Sequence, residues 1–512
     1  MQRLKLNKQD IWVVIIALIY ITVDMILTYQ RVYFLNLLPV FLLIAYLAFT
    51  RLDIIYLIIV ACTPLSIPLI EYYYASPVDF AIPTEPMLFG VMLIVIFKLA
   101  KKNFIDRRII NHPVTLAILF NLFWIFVTSI TSSMPLVSFK FLLARLWFLT
   151  TFYLLAIYFF KNPRNIPKMI WAYTLPLLIV IFYAIHRHFI YGFFDKQSAH
   201  FVMNPFYRDH TSYGAVLAMI IFSFAGINIG PNKSFLRKLV IWTIFIILLI
   251  ALVLSYTRAA WISVFCGLGI LLTTHLRIKF KYLAIVGVVV LALFFNHRYS
   301  VLHKMESNKT ESSANLAEHL ESVTNIATDE SNLERLNRWA SAFRMFEERP
   351  VFGWGPGTYM FKYAPFQMPE QKTGISTNFG DLGNAHSEYI GPLAESGLLG
   401  TVSFVLIVIV TIVTGYKVYH RVVERELKTV LLTSMIALIT YMIHGFLNNF
   451  LDTDKASSLF WGFIAIIVSL DIYYKEGKKR NLLIPRVKKG KKISDKKDEE
   501  IVLAEETGQE PD

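Results

Sequence analysis

Long apolar runs alternate with short polar segments along most of the chain. Each run is about 18–20 residues long, which lets a helix cross a hydrocarbon core of about 30 Å. Because a backbone in lipid must satisfy its own hydrogen bonds, the pattern predicts an all-α, polytopic integral membrane protein with about 12–14 transmembrane helices. The runs begin near Ile11, Phe34, Ile54, Pro86, Pro113, Phe141, Ile166, Ser212, Leu239, Ala259, Tyr282, Tyr389, Thr429 and Ser457.

The composition excludes a soluble globular class. Of the 512 residues, 56% are hydrophobic, and the mean hydropathy is +0.53. A soluble fold of this length could not cover so much apolar surface with polar groups. Cys62 and Cys266 both lie in apolar runs, which indicates buried small hydrophobes and no disulfide framework.

The net charge of +14 is distributed in a way that argues against a nucleic-acid partner. Lysine and arginine cluster in alternate loops, whereas the loop EYYYASPVDFAIPTEP contains none. This positive-inside pattern predicts a multi-pass membrane protein with both termini in the cytoplasm, and in a bacterium that membrane is the inner membrane. The basic tail is expected to meet anionic membrane lipids.

Four regions are expected. Residues 1–295 form the first part of the transmembrane domain, and residues 296–388 form one large periplasmic loop that is partly helical. Residues 389–474 form the last transmembrane part, and residues 475–512 form a charged cytoplasmic tail that is expected to be disordered.

Within the large loop, SNLERLNRWASAFRMFEERP predicts a helix that Ser331 and Glu334 cap and Pro350 ends. Arg335 and Arg338 lie off the face that is predicted to pack. That face carries apolar residues at helical spacing: Leu336, Trp339, Ala340, Phe343 and Phe346.

Titratable and cationic side chains mark the predicted outer face. His386 precedes an apolar helix, where a neutral imidazole can take a proton from a sugar hydroxyl; the alternative is a hydrogen-bonded interfacial histidine. Arg258 in SYTRAAW and Arg208 in NPFYRDHTSYG lie near outer helix ends, where two guanidiniums can hold a diphosphate. Arg258 can instead reach lipid headgroups, and Arg208 can pair with Asp209. Arg145 in KFLLARLWF is a further candidate of the same kind.

Two other features have a plainer interpretation that we favour. The glycines of GWGPGTYMFKYAP allow tight turns or a close approach of the backbone to a ligand, and neither the strand nor the helix of a phosphate-binding loop is evident around them. Asp452 and Asp454 in LDTDKAS have the spacing of a metal-binding pair, but two such carboxylates are usually ordinary loop residues. No metal and no other cofactor is therefore expected.

Three motifs, in this order, resemble the bacterial O-antigen ligase family, which shares a membrane domain with O-antigen polymerases and some protein O-oligosaccharyltransferases. They are SYTRAAW with Arg258, ERPVFGWGPGTY at the end of the large loop, and NAHSEYIGPLAESGLLG. In the last motif, His386 and a polar residue precede an E-x-G-x-x-G sequence at residues 395–400. NPFYRDHTSYG is similar to the segment in which such proteins carry another outer arginine. The resemblance runs from about residue 204 to residue 400.

The resemblance implies an inverting glycosyltransferase with a GT-C-like helical membrane fold. Its donor would be a glycan on undecaprenyl diphosphate, and its acceptor would be a hydroxyl of lipid A–core sugar or another glycan. Arg258 and Arg208, with Arg145 as a third candidate, would hold the diphosphate, and His386 would act on the acceptor hydroxyl. The family reaction is understood to need neither metal nor ATP.

Two further residues are assigned a supporting role, Glu395 and Arg338. On a straight helix, Glu395 would lie about 13 Å beyond His386. We therefore expect its carboxylate to pair with an arginine of a neighbouring helix, either Arg145 or Arg258.

Other functions remain open at this stage. A polymerase that joins two lipid-linked glycans, or an oligosaccharyltransferase acting on protein, would use the same donor and the same arginines. A lipid-linked glycan transporter would explain the helices, but it usually shows an internal repeat with broken helices near the midplane, and the sequence has no evident repeat.

The alternating charge bias generates a topology prediction. A tag inserted within residues 308–324 should react with membrane-impermeant reagents from outside, and a tag after Glu505 should not. Labelling of the tail tag in intact spheroplasts would reverse the predicted side of every candidate residue.

Overall fold

The computed structural model describes residues 8–31, 33–69, 80–99, 105–193, 195–228, 234–276, 330–369 and 383–474. The tagging positions above, the run near Tyr282 and the charged tail lie outside these residues. The described helices are α1 Lys8–Tyr29, α2 Leu38–Thr50, α3 Leu52–Cys62, α4 Thr84–Leu99, α5 Arg107–Ile110, α6 Pro113–Ile130, α7 Pro135–Phe160, α8 Ile166–Tyr191, α9 Lys196–Ala199, α10 His210–Asn228, α11 Phe235–Leu254, α12 Arg258–His275, α13 Glu330–Glu348, α14 Tyr359–Lys362, α15 Ile390–Arg421, α16 Arg425–His444 and α17 Asp454–Tyr473.

The predicted all-α, polytopic class is confirmed. Within the described ranges, ten helices are long and apolar enough to cross a membrane: α1, α6, α7, α8, α10, α11, α12, α15, α16 and α17. The runs predicted near Phe34, Ile54 and Pro86 form the shorter helices α2, α3 and α4, of 13, 11 and 16 residues. Each is shorter than the ~20 residues that a span usually needs.

The helix packing places α10 and α17 at the centre of the bundle. Helix α10 packs against α8, α11, α12 and α16, and α17 packs against α7, α15 and α16. Both helices are apolar on nearly every side, as expected for helices surrounded by others. The apolar side chains of α1 are largely exposed, which fits a helix that faces lipid.

A buried ion pair joins the start of α17 to the amino-terminal part of the chain. The Asp454 carboxylate accepts a hydrogen bond from the Ser66 hydroxyl at 2.6 Å and another from Thr84. Lys455 Nζ donates to the Ser66 carbonyl oxygen at 3.0 Å and lies 3.4 Å from Asp454. Removing one partner would leave a buried charge without its counterion. Asp454 is thus part of the packing between regions far apart in sequence.

The only regular strands in the described residues lie in this same region. Ile67–Pro68 pairs antiparallel with Ala81–Ile82, with Ile67 opposite Ile82. The pair precedes α4, so it positions Thr84 for its contact with Asp454.

Helix α15 is interrupted near its start. Gly397 has φ 67° and ψ −170°, a conformation essentially restricted to glycine. The interruption diverts the Leu398 N–H to the Pro350 carbonyl oxygen, at 3.0 Å. It also leaves carbonyl groups of the preceding turn available to partners outside the helix.

The segment 351–355 occupies this interruption. The Trp354 N–H donates to the Ala394 carbonyl at 3.0 Å, and the Gly355 N–H donates to the Glu395 carbonyl at 2.8 Å. The Trp124 indole of α6 donates to the Ser396 carbonyl at 2.8 Å. The glycine-rich segment therefore lets its own backbone approach the backbone of α15 closely.

This docking predicts an effect on stability. A Cβ at Gly397 would lie 2.1 Å from the Val351 carbonyl oxygen, so Gly397→Ala combines a backbone clash with a strained conformation. The strain alone costs about 1–3 kcal/mol. The melting temperature of the purified protein in detergent should fall by several degrees. Gly269→Ala is the matched control, because a Cβ there meets nothing within 4 Å. Equal melting temperatures for both variants would contradict the docking.

Candidate functional site

The amino ends of α10 and α12 lie side by side. The Thr257 hydroxyl donates to the His210 carbonyl at 2.9 Å, and a Cβ at Gly214 would lie 2.7 Å from Thr257. Thr257 therefore does not cap α12 with its side chain. Arg258 occupies the first turn of α12, at this paired helix end. Two helix amino termini and a guanidinium together favour an anion.

Arg335 of α13 reaches the same place. Its guanidinium interacts electrostatically with Arg258, and its Nε donates to the Leu447 carbonyl oxygen at 3.2 Å. Burial lowers the pKa of Arg335, and the nearby carboxylate of Asp209 opposes that shift. The charges of these two guanidiniums, which belong to different elements, thus influence each other.

His386 lies in an extended segment, residues 383–387, that we call the histidine strap. The His386 N–H donates to the Asn384 side-chain oxygen at 3.1 Å, and His386 has a left-handed φ of 49°. Helix α15 begins at Ile390, so His386 precedes the helix by four residues. The helix amino end is displaced from the imidazole by a turn at residues 388–389.

The electrostatic environment keeps His386 neutral. Burial lowers its pKa to about 3, with further lowering by Arg335 and Arg338 and an opposing effect of Asp209. An imidazole with this environment carries no proton charge at neutral pH. His386 is therefore available as a hydrogen-bond acceptor or base in the unliganded site.

Arg338 connects α13 to the histidine strap. Its Nε donates to Glu334 at 2.8 Å, and its Nη1 donates to the Asn384 carbonyl at 3.3 Å. The guanidinium also lies over the Tyr363 ring, 5.2 Å from the centroid. The supporting role of Arg338 stays a prediction; the contact that Arg338 makes is with the segment that carries His386.

The packing face predicted for α13 is wrong. Phe343 is 46% exposed, and the other apolar residues of the predicted face are only partly buried. The buried face is polar. Its side chains form hydrogen bonds with one another, with the histidine strap and with the helix backbone, and these bonds offset the cost of burying polar groups. It consists of Glu334, Asn337, Arg338 and Ser341, together with Ala342 and Met345.

Arg145 belongs to a different set of charges. Its Nη2 lies 2.9 Å from Asp452 Oδ1, and its Nη1 donates to the Leu451 carbonyl at 3.4 Å. Arg145 and Asp452 interact electrostatically with Glu388. A diphosphate-binding role for Arg145 stays a prediction. Asp452 already neutralises the charge of Arg145 in this structure. Asp452 and Asp454 of the LDTDKAS loop engage separate partners, which does not fit a shared metal.

Glu388, which sequence reasoning missed, ties the strap to the loop before α17. Its Oε1 accepts from the Tyr441 hydroxyl at 2.6 Å and from the amides of Phe450 and Leu451 at 2.8 and 2.9 Å. Burial raises the pKa of Glu388 to about 7, and Asp452 adds to the increase. The backbone N–H of Glu388 also donates to the Gly445 carbonyl at 2.8 Å.

Glu395 does not form the predicted arginine pair. Its carboxylate accepts the Tyr359 N–H at 3.0 Å, and no ion pair to it is found within the described ranges. The reason is the docked segment, which presents amide groups where an arginine was expected. Glu395 therefore supports the site through the backbone of residues 353–359.

Arg208 and Asp209 precede α10. Arg208 is exposed, and its predicted contact with a diphosphate stays a prediction. The Asp209 carboxylate binds the Thr211 N–H and hydroxyl, the latter at 2.6 Å, and lies 3.7 Å from His210 Nδ1. The charge of Asp209 raises the pKa of both Arg335 and His386.

Arg335 is another residue that sequence reasoning missed. Its position three residues before Arg338 places both side chains on one side of α13. The apolar periodicity of α13 places both arginines off the face that is predicted to pack.

Residues 243–405 match a family model described as O-antigen ligase. The match covers about a third of the chain and contains Arg258, Arg335, His386 and Glu395. A search of curated proteins gave no match. The family match confirms the resemblance drawn from the motifs, and it supports a membrane glycosyltransferase-like function of the O-antigen ligase or polymerase type.

Proposed function

We propose that this protein, whose residues 243–405 carry an O-antigen ligase domain, transfers a glycan from undecaprenyl diphosphate to a sugar hydroxyl of lipid A–core. The transfer inverts the anomeric carbon and takes place at the outer face of the inner membrane. The observation that carries the proposal is the position of Arg258 at the paired amino ends of α10 and α12. Arg335 interacts electrostatically with Arg258 and with the neutral His386. A cationic anion site beside a base is what this reaction needs.

Arg258 and the paired helix ends suit the leaving group. The bond between sugar and diphosphate is already activated, and negative charge grows on the diphosphate as that bond breaks. A guanidinium fixed at a helix amino terminus stabilises this charge without reorganising in the transition state. A bidentate guanidinium also fixes the orientation of the diphosphate.

His386 suits the acceptor hydroxyl. The alcohol must lose its proton as its oxygen attacks the anomeric carbon, and a positioned base typically contributes about 10²–10⁴-fold to such a step. Burial holds the imidazole neutral, and the nearby Arg335 and Arg338 add to this effect. A bound diphosphate offsets these cations, so it raises the proton affinity of His386 when the donor is present.

The ligase assignment rests on the family description together with a site that has a donor cluster and a base. A polymerase would use the same donor and the same arginines, so the donor site does not distinguish the acceptors. An experiment must therefore identify the acceptor. Deletion of the gene should leave lipid A–core without long chains while lipid-linked polymer still accumulates. Single-repeat decoration of the core would indicate a polymerase instead.

The proposed division of labour predicts different defects in two variants. His386→Ala should bind undecaprenyl-diphosphate glycan normally and lose roughly 10²-fold or more in single-turnover transfer rate. Arg258→Ala should weaken donor binding as well as the rate. Arg258→Lys should recover only part of the loss, because one ammonium does not reproduce the guanidinium fork.

The matched controls are His420→Ala and Arg237→Ala, since both side chains are exposed and belong to the ends of α15 and α11. Both should transfer at the wild-type rate. If His386→Ala loses donor affinity but keeps its rate at saturating donor, the histidine is a donor ligand and the base assignment is wrong.

The coupling of donor charge to His386 predicts a pH dependence. Transfer needs the neutral imidazole and is lost as the pH falls through its pKa. Burial and the nearby guanidiniums hold that pKa at about 3, and bound diphosphate should raise it. Because kcat reports the donor complex and kcat/KM for the donor reports the enzyme without donor, kcat should decline at a higher pH than kcat/KM.

Both parameters should be measured between about pH 8 and pH 3, so that the range includes the pKa of about 3 of His386 and the range in which carboxylates titrate. Glu388→Gln is the control, because the pKa of Glu388 near 7 would give a separate acid limb. The separation between the two profiles should survive this substitution. Coincident acid limbs in the wild-type protein would show that the donor does not change the proton affinity of the base.

A further inference from the structure

We propose that a turn of the large loop, residues 349–353, inserts its tip into the acyl chains of the surrounding bilayer. The tip consists of Val351 and Phe352, and the partner that it fits is membrane lipid. The proposal concerns an interaction surface of the loop, and it does not depend on the proposed function.

The turn presents two apolar side chains away from the protein. The Gly353 N–H donates to the Arg349 carbonyl oxygen at 3.1 Å, which closes the turn. Val351 and Phe352 are 55% and 43% exposed. Single exposed apolar residues are ordinary on a surface that faces water. The position of the tip relative to the membrane spans therefore decides whether water or lipid covers it.

The depth of the tip follows from its contact with α6. The Phe352 ring stacks on the Trp124 ring, with centroids 5.8 Å apart and an interplanar angle of 16°. Helix α6 has 18 residues, so it is about 27 Å long and nearly matches a hydrocarbon core of about 30 Å. Trp124 precedes Ile130, the last residue of α6, by about 9 Å along the axis, and helix side chains lean toward the amino terminus. The stacked rings therefore lie within the thickness that α6 crosses.

Both helices that the turn contacts carry exposed apolar side chains near these contacts. Because α6 and α15 are long and apolar enough to cross a membrane, such side chains face lipid. The tip thus continues a lipid-facing surface that both helices share. The exposed side chains are Phe123, Phe126 and Ile130 of α6 and Leu398, Leu399 and Val402 of α15.

The polar backbone of the turn is directed toward the protein. The Pro350 carbonyl accepts the Leu398 N–H at 3.0 Å, and the Trp354 carbonyl accepts the Ser133 N–H at 2.9 Å. Non-helical backbone at membrane depth is tolerated where protein satisfies its polar groups. These contacts therefore let an irregular segment enter the acyl region, with its apolar tip toward lipid.

The charged groups beside the tip are directed toward the large loop. The Arg349 guanidinium carbon lies 4.1 Å from the centroid of the Trp354 ring, and the Trp354 indole donates to the Met345 carbonyl of α13 at 3.1 Å. The exposed Glu347 and Glu348 precede this arginine at the end of α13. An arginine at a membrane surface places its charge near the headgroups and its stem along apolar groups. The change from charged to apolar residues within one turn fits insertion from that surface.

Insertion of this turn fixes the level of α13 relative to the bilayer. Helix α13 leads into the turn and carries Arg338, which holds the Asn384 carbonyl of the histidine strap. Two other occupants of the surface make different predictions. If the tip faces water, an aqueous solute reaches it; if a second copy of the chain covers it, neither lipid nor solute does.

The test measures the surroundings of a fluorescent label on the full-length protein in nanodiscs. Cys62 and Cys266 are replaced by alanine, and Val351→Cys carries a bimane label. The bilayer is phosphatidylcholine, either unmodified or with bromine in the middle of its acyl chains, and iodide is the quencher in water. The label at residue 351 should be quenched by the brominated lipid and protected from iodide.

Two reference positions calibrate the result. Phe123→Cys places the label on α6, next to Trp124 and at nearly the same depth, on an exposed side chain. Glu347→Cys places it on an exposed charged position four residues before Val351. The label at residue 351 should lose about as much fluorescence to brominated lipid as the label at residue 123. The label at residue 347 should be quenched mainly by iodide.

Three results would overturn the proposal. Iodide quenching at residue 351 equal to that at residue 347, without quenching by brominated lipid, shows that the tip faces water. Protection from both quenchers shows that protein covers the tip. Absence of lipid quenching at residue 123 removes the depth argument itself. If the Val351→Cys protein does not fold, Phe352→Cys is measured in the same way and decides. The proposed function survives each of these results, because donor and acceptor chemistry do not enter the measurement.

Discussion

The backbone contact between residues 351–355 and the interruption of α15 is the constraint on which the site depends. The interruption at Gly397 exposes carbonyl groups in a membrane helix, and such groups must find donors. The amides of Trp354 and Gly355 supply two of them. Since α13 leads into this segment and the histidine strap leads into α15, the contact sets α13 and the strap against the same helix. The arginines of α13 can then meet His386.

The resulting electrostatic field has two consequences. Arg258 at the paired amino ends of α10 and α12 favours an anion. Burial holds His386 neutral, and Arg335 and Arg338 add to that effect. Under the proposed chemistry, one arrangement of charge therefore binds the donor and keeps the base unprotonated until the donor arrives. A base of very low pKa is weak, so the reaction gains from the rise in proton affinity that the donor causes.

The sequence was sufficient to predict the all-α, polytopic membrane class and the family resemblance. Apolar run length and motif order do not depend on tertiary detail, whereas the remaining features do. The packed face of α13 was assigned by apolar periodicity, which presumes that polar side chains point to water. Here Glu334 and Arg338 satisfy each other and the strap, so their face is the buried one. The position of Glu395 was calculated for a straight helix, which Gly397 rules out.

The histidine strap is held from two directions, and this accounts for the unusual backbone of His386. On one side, Arg338 binds the carbonyl of Asn384; on the other, Glu388 binds the amides of Phe450 and Leu451. A non-glycine residue with positive φ costs free energy and persists where surrounding contacts determine it. Under the proposed function, such a strap keeps the imidazole in place when the donor binds, because neither anchor uses the imidazole itself. The carboxylate of Glu388 thus acts as a positioning group for the strap. Arg145 forms an ion pair with Asp452, and both interact electrostatically with Glu388, so Arg145 lies with this group and not with the other arginines.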